Sequence, residues 1–230
     1  MRGVILLLVT LTASLASAQD DYAPEDYEVE ENKRLEGTSR ISIMGGWRYA
    51  PNLTFYDNYY LDRDNRGLER SRGSIGGPLV TGTFGYSVND FIEVGIDLFA
   101  TYERMVLTNK PGLNTATYGA LVGLRFQKRL ELGRQVVIPS AGVLVGPLIA
   151  AAYFDGGRAV ERGGQALGFS AGATMRLSQT WGLSFEFRQL FAGGDAEDVG
   201  SYNAGGSWLS VGMTYVIPWQ YDEKKIRGRL

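Results

Sequence analysis

Ile92-Glu93-Val94-Gly95-Ile96-Asp97-Leu98 alternates apolar residues with small or charged ones without a break. Successive side chains of a strand point to opposite faces, so a period of two marks an extended segment with one apolar face. The parity continues outward from this stretch. Tyr102 falls on the apolar side, and Thr101 and Glu103 fall on the side of Glu93, Gly95 and Asp97.

The same pattern recurs along the chain from Arg40. Ile41, Ile43, Trp47 and Tyr49 oppose Arg40, Ser42, Gly46 and Arg48; Val80, Phe84 and Tyr86 oppose Thr81, Thr83, Gly85 and Ser87. Further on, Tyr118, Val122, Leu124 and Phe126 oppose Thr117, Gly119, Gly123, Arg125 and Gln127. Leu167, Phe169 and Met175 oppose Gly168, Ser170, Gly172, Thr174 and Arg176. Trp181, Leu183, Phe185 and Phe187 oppose Ser184, Glu186 and Arg188, and Leu209 to Ile217 oppose Ser210, Gly212 and Thr214. A fainter segment runs from Val137 to Ile149; Pro139 and Pro147 each remove a ladder donor and predict a kinked or misregistered strand there. The result is eight segments of about 10 residues, the length a tilted strand needs to cross a bilayer.

Soluble lipocalin-type barrels alternate too, with their apolar face inward. Here Gly46, Gly85, Gly95, Gly119, Gly123, Gly142, Gly146, Gly168, Gly172 and Gly212 share the charged face. Small residues and pairing charges suit a narrow lumen, which leaves the bulky face for lipid. Aromatic residues gather toward segment ends, as interfacial girdles require. Connections alternate in length. Short ones lie at Asn89-Asp90, at 129–134 and at Ser178-Gln179-Thr180; long ones follow Tyr49 and lie near 104–114, 154–164 and 192–206. The predicted fold class is all-β: an eight-stranded antiparallel up-and-down transmembrane β-barrel.

The chain has 230 residues, no His and no Cys, and a formal charge of −2. Disulfides, Cys- or His-ligated metals and imidazole-based catalysis are therefore excluded. The charge argues against nucleic acid as a partner. Residues 1–18 read as a signal peptide, with Arg2, the apolar run Val4–Leu11 and the small-residue site Ala16-Ser17-Ala18. Residues 19–37 form an acidic segment that carries Asp20, Asp21, Glu25, Asp26, Glu28, Glu30, Glu31 and Glu36; such a run reads as flexible and solvated. The barrel is expected over 38–219, and a basic tail over 220–230.

The last segment, Ser210-Val211-Gly212-Met213-Thr214-Tyr215-Val216-Ile217, resembles the assembly signal of small Gram-negative outer-membrane barrels of the OmpA/OmpX/OmpW type: polar, any, Gly, any, any, aromatic, any, hydrophobic. The signal is internal here, because the chain runs on past Trp219. The resemblance implies an outer-membrane location with both termini periplasmic. It also implies contact with outer-membrane lipid and lipopolysaccharide, and handling by the barrel-assembly machinery.

The inward charges would be Arg40, Arg48, Glu93, Asp97, Glu103, Arg125, Arg176, Glu186 and Arg188. An eight-stranded barrel is just wide enough to fill with side chains, and unpaired charges in a dry lumen are costly. A salt-bridge plug is thus the favoured reading, with a narrow porin-like channel for small solutes as the alternative. The first long connection holds Tyr56, Tyr59, Tyr60, Arg63 and Arg66, residue types common in recognition surfaces. Strands extending past the bilayer would read the same way. Asp62, Asp64 and Gly67 fall short of a calcium loop, since Arg66 and Gly73 occupy ligand positions. No metal and no cofactor is expected. Enzymatic barrels of this type rely on a histidine, so the expected role is non-enzymatic: structural or surface-interacting. The acidic and basic ends also suggest a periplasmic protein partner, as in an envelope-spanning secretion or motility assembly.

Overall fold

The computed structural model describes residues 34–50, 53–60, 76–133, 135–196 and 199–217. The expected signal peptide, most of the acidic segment, the basic tail, Arg63 and Arg66 lie outside the described residues. The strands are β1 (Ser39–Tyr49), β2 (Gly77–Ser87), β3 (Ile92–Met105), β4 (Leu113–Gln127), β5 (Leu130–Leu132), β6 (Gln135–Phe154), β7 (Val160–Arg176), β8 (Trp181–Phe191), β9 (Gly193–Ala196), β10 (Gly200–Asn203) and β11 (Gly206–Ile217). Among the described residues one helix, α1 (Leu53–Tyr60), follows β1.

Eight strands close on themselves: β1–β2–β3–β4–β6–β7–β8–β11, with β11 returning antiparallel to β1. Ser39 lies opposite Ile217 and Tyr49 opposite Ser207 across that seam. Closure gives each of the eight strands a neighbour on both sides, which satisfies most of its backbone donors through the barrel wall.

The two faces are those that the alternation predicts. Ile43 is 67% exposed and Leu209 68%, whereas Asp97, Arg188 and Thr214 are fully buried. This is a protein turned inside out relative to a soluble barrel. Its bulky residues form an outward apolar belt. Tyr86, Phe91, Phe126, Trp181 and Tyr215 sit toward one end of it, and Trp47, Tyr49, Tyr102 and Phe191 toward the other, all exposed. The first end carries the short connections 88–91, 128–134 and 177–180, and we term it the turn end; the opposite one is the loop end.

Strand β6 departs from expectation. It is neither kinked out of register nor weak: at 20 residues it is the longest strand, and it pairs with β7 in one register from Val136↔Arg176 to Ala152↔Val160. The prolines leave only a local mark. Pairing of β6 with β4 lapses between Gly119↔Leu148 and Val122↔Val145, where Pro147 has no N–H to give, and resumes in the same register. Because β6 and β7 run on past the belt, the connection near 154–164 shrinks to residues 155–159.

Candidate functional site

The lumen is filled in two layers. Nearer the turn end, charges from β1, β3, β4 and β8 meet in an alternating chain. Arg40 grips both oxygens of Glu93, which also accepts from Arg125 Nη1 at 3.3 Å. Arg125 Nη2 continues to Asp97, and Asp97 Oδ1 accepts from Arg188 Nη2 at 3.0 Å. Arg188 Nε then donates to Glu186 at 2.5 Å. Thr83 donates to Asp97 as well. Three bases and three acids thus neutralise one another inside the wall; a buried charge persists only when paired and hydrogen-bonded. Beside this chain a hydroxyl ladder crosses the sheet, from Ser42 to Thr214 at 2.7 Å and from Thr214 to Ser184 at 2.5 Å.

Nearer the loop end the filling is apolar. Leu79, Phe99, Leu121, Leu144, Leu148, Leu190 and Trp208 pack together, with Phe99 and Trp208 ring centroids 4.9 Å apart. Arg48 and Glu103 pair above them at 2.8 Å, and both are buried. Arg48 also donates to the Ala204 carbonyl at 2.8 Å, tying the wall to the connection after β10.

Two loop elements seal this end. Helix α1 turns Phe55 and Tyr59, one turn apart on one face, into the apolar layer. The β9–β10 hairpin lays Tyr202 beside Phe55, with centroids 5.1 Å apart. Gly194 makes that possible: a Cβ there would stand 2.5 Å from the Tyr202 ring. Asn58 Nδ2 donates to the Val199 carbonyl at 3.0 Å and links helix to hairpin. Outside the cap, Asp155 accepts from Asn114 Nδ2 at 2.8 Å, from the Gly112 amide at 3.0 Å and from Arg104 at 2.6 Å. The Asn114 and Gly112 donors, then Arg104, hold its carboxyl below the usual carboxylate range.

Burial pushes the Tyr202 phenol up to about 12. A raised folded-state value means that the neutral phenol stabilises the cap fully below its ordinary value, about 10. That contribution is lost as pH rises through about 12. The ultraviolet phenolate titration of the parent minus that of Tyr202→Phe is expected to have its midpoint near 12. A midpoint at the ordinary phenol value would place Tyr202 in solvent and the cap open.

Eight of the nine expected inward charges fall into ion pairs: Arg40, Glu93, Arg125, Asp97, Arg188 and Glu186 in the chain, and Arg48 with Glu103 above. Arg176 stands apart at the turn end. Of the expected recognition residues, Tyr59 is buried in the cap and donates to the Pro111 carbonyl at 3.3 Å. Tyr56 and Tyr60 lie on α1, but their side chains are outside the described residues. The apolar layer is absent from the sequence expectation, although the signal for it was present. Phe99 has the parity of Asp97, Trp208 that of Ser210, and Leu144 that of Gly142.

No protein-family model and no curated protein matches the chain. Among solved structures, the outer-membrane protein OprG of Pseudomonas aeruginosa superposes with a TM-score of 0.50 at 10% identity, over 82% of this chain and 99% of that one. The fold is that of the small outer-membrane β-barrels. Neisserial surface protein A is also similar (TM-score 0.46, 17% identity, 78% of this chain and 97% of that one). So is Ail of Yersinia pestis, in a complex with the heparin analogue sucrose octasulfate (TM-score 0.44, 14% identity, 79% and 99%).

Proposed function

We propose that the protein is a non-enzymatic, non-conducting barrel of the outer membrane that acts through the surface its loop end presents. The observation that carries this reading is the double closure of the lumen. The charge chain blocks one level, and the apolar layer under α1 and β9–β10 blocks the other. A lumen filled at both levels leaves no path for a solute from one end to the other. What remains for function is the platform built by the cap, the β6–β7 extension and the adjoining connections.

The apolar belt supports residence in lipid, with lipopolysaccharide around the loop end. Short turns belong on the periplasmic side of such barrels. We therefore place the turn end, and with it both chain termini, in the periplasm. Delivery by the barrel-assembly machinery through β11, and a periplasmic protein partner for the acidic and basic ends, belong to the same reading.

Planar-bilayer recording of the refolded protein tests it. Silence is expected, with heat-modifiable gel mobility as proof of folding. Steady openings that change with Arg125→Ala and Glu186→Ala would overturn it in favour of a charge-lined channel.

A further inference from the structure

Arg40, Arg48, Arg125 and Arg188 each hold a carboxylate in the lumen. Arg176, at the turn end of β7, holds none among the described residues. Its Nη1 reaches the Gln179 carbonyl at 3.4 Å, a long bond, and its Nε is buried with no hydrogen-bond partner. A guanidinium presents five N–H donors in a planar fork. Arg176 therefore keeps most of its donors and its full charge unspent, on a face where every other arginine is neutralised.

Arg176 also lines a cavity that opens at the turn end. Thr38, Ser87, Gln127, Ser140 and Thr174 contribute hydroxyl and amide groups to its wall. The acid in that wall is Glu93, and its oxygens are already taken by Arg40 and Arg125. Several of these groups are already engaged: Thr38 donates to the Leu35 carbonyl, Gln127 to Ser87, and Thr174 bonds Ser184. Arg176 thus supplies the uncommitted donors and the unpaired positive charge of the wall, and the site is electropositive. Its inner limit is the charge chain itself, so a ligand enters from the turn end and does not thread through. Leu35, Ile138 and Val216 supply an apolar part of the wall, where the carbon stem of an organic acid would rest.

We propose that this cavity is an oxyanion site, with Arg176 as its fork, taking a single carboxylate or phosphate headgroup that enters from the turn end. Planar, bidentate pairing with an oxyanion is what a guanidinium does best, and partial burial strengthens it. The site lies at the opposite end of the barrel from the cap, so it stands or falls independently of the surface role proposed above.

Inorganic phosphate and acetate, titrated separately into the refolded full-length barrel in micelles, are the probes. Chemical shifts of the Ser140 and Thr174 amides are the readout. Saturable shifts with millimolar affinity are expected for at least one probe, and Arg176→Gln should weaken it about tenfold or more. Arg176→Lys, which keeps the charge but loses the fork, should fall between the two. Arg158→Gln, in the β6–β7 connection at the loop end, should bind as the parent does. A preference for phosphate would point to a phosphorylated source, and a preference for acetate to a carboxylate one. No saturable shift with either probe overturns the proposal, as does undiminished affinity in Arg176→Gln. Should Arg176→Gln fail the heat-modifiability check, undiminished affinity in Arg176→Lys has the same force.

Discussion

Replacing Asp97 with alanine is expected to cost the folded barrel about 3–5 kcal/mol, the range for removing one partner of a buried ion pair. Asp97 is the hub of the charge chain. It is fully buried and holds both Arg125 and Arg188, with Thr83 as a further donor. Its loss takes one of two acids from each of two guanidiniums at once. Each keeps one acid, Glu93 or Glu186, but this buried level then carries one net positive charge. Glu186→Ala should cost clearly less, because Arg188 retains Asp97 and Glu186 lies nearer to solvent. Urea unfolding in lipid vesicles, followed by tryptophan fluorescence, measures both. An Asp97→Ala protein within about 1 kcal/mol of the parent, the cost of an exposed pair, would show that water reaches the chain and that the plug is wet.

Gly212→Val should lower the yield of folded barrel severalfold. Gly212 and Gly46 face each other's strands across the β1–β11 seam, where the backbones approach closely. A Cβ on Gly212 would stand 2.0 Å from the Ile43 carbonyl oxygen, and one on Gly46 would stand 2.0 Å from that of Leu209. The atoms struck are main chain and cannot rotate away, so the cost should exceed the usual overpacking range of about 1–3 kcal/mol. Gly82→Ala is the control. Nothing lies within 4 Å of its added methyl. That change should be neutral or stabilise by up to about 1 kcal/mol through the unfolded chain. Refolding into micelles without assembly factors, scored by heat-modifiable mobility, separates this steric effect from any loss of the assembly signal to which Gly212 belongs. Equal yields for Gly212→Val and Gly82→Ala would mean that the seam is looser than it stands here.

Parity made the wall legible. Once Glu93 and Asp97 share a face with Gly95, the inward set follows by counting in twos, and the paired charges lie on it. Pairing partners are a different matter. Arg40 finds Glu93, and Arg188 finds Asp97 across 91 residues, because of strand stagger and closure, which no local pattern encodes. The cap was hidden for a related reason. Tyr59 and Phe55 are four apart, but one helical turn beside a run of tyrosines carries too little periodicity to separate a buried face from a recognition surface. The prolines of β6 misled in the other direction. Each loses one donor, and neighbouring pairs hold the register, so a local defect does not propagate.

The charge chain joins β1, β3, β4 and β8, whose members span Arg40 to Arg188. It has a consequence for the order of assembly. No half-built sheet can complete it, and a slip of one residue turns every side chain of a strand to the opposite face, here placing a guanidinium or a carboxylate against hydrocarbon. A misaligned intermediate therefore keeps its water and stays reversible. Only the correctly aligned cylinder brings all six charges together, so pairing and closure become one event. The ion-pair chain thus ties closure of the barrel to correct alignment of its strands.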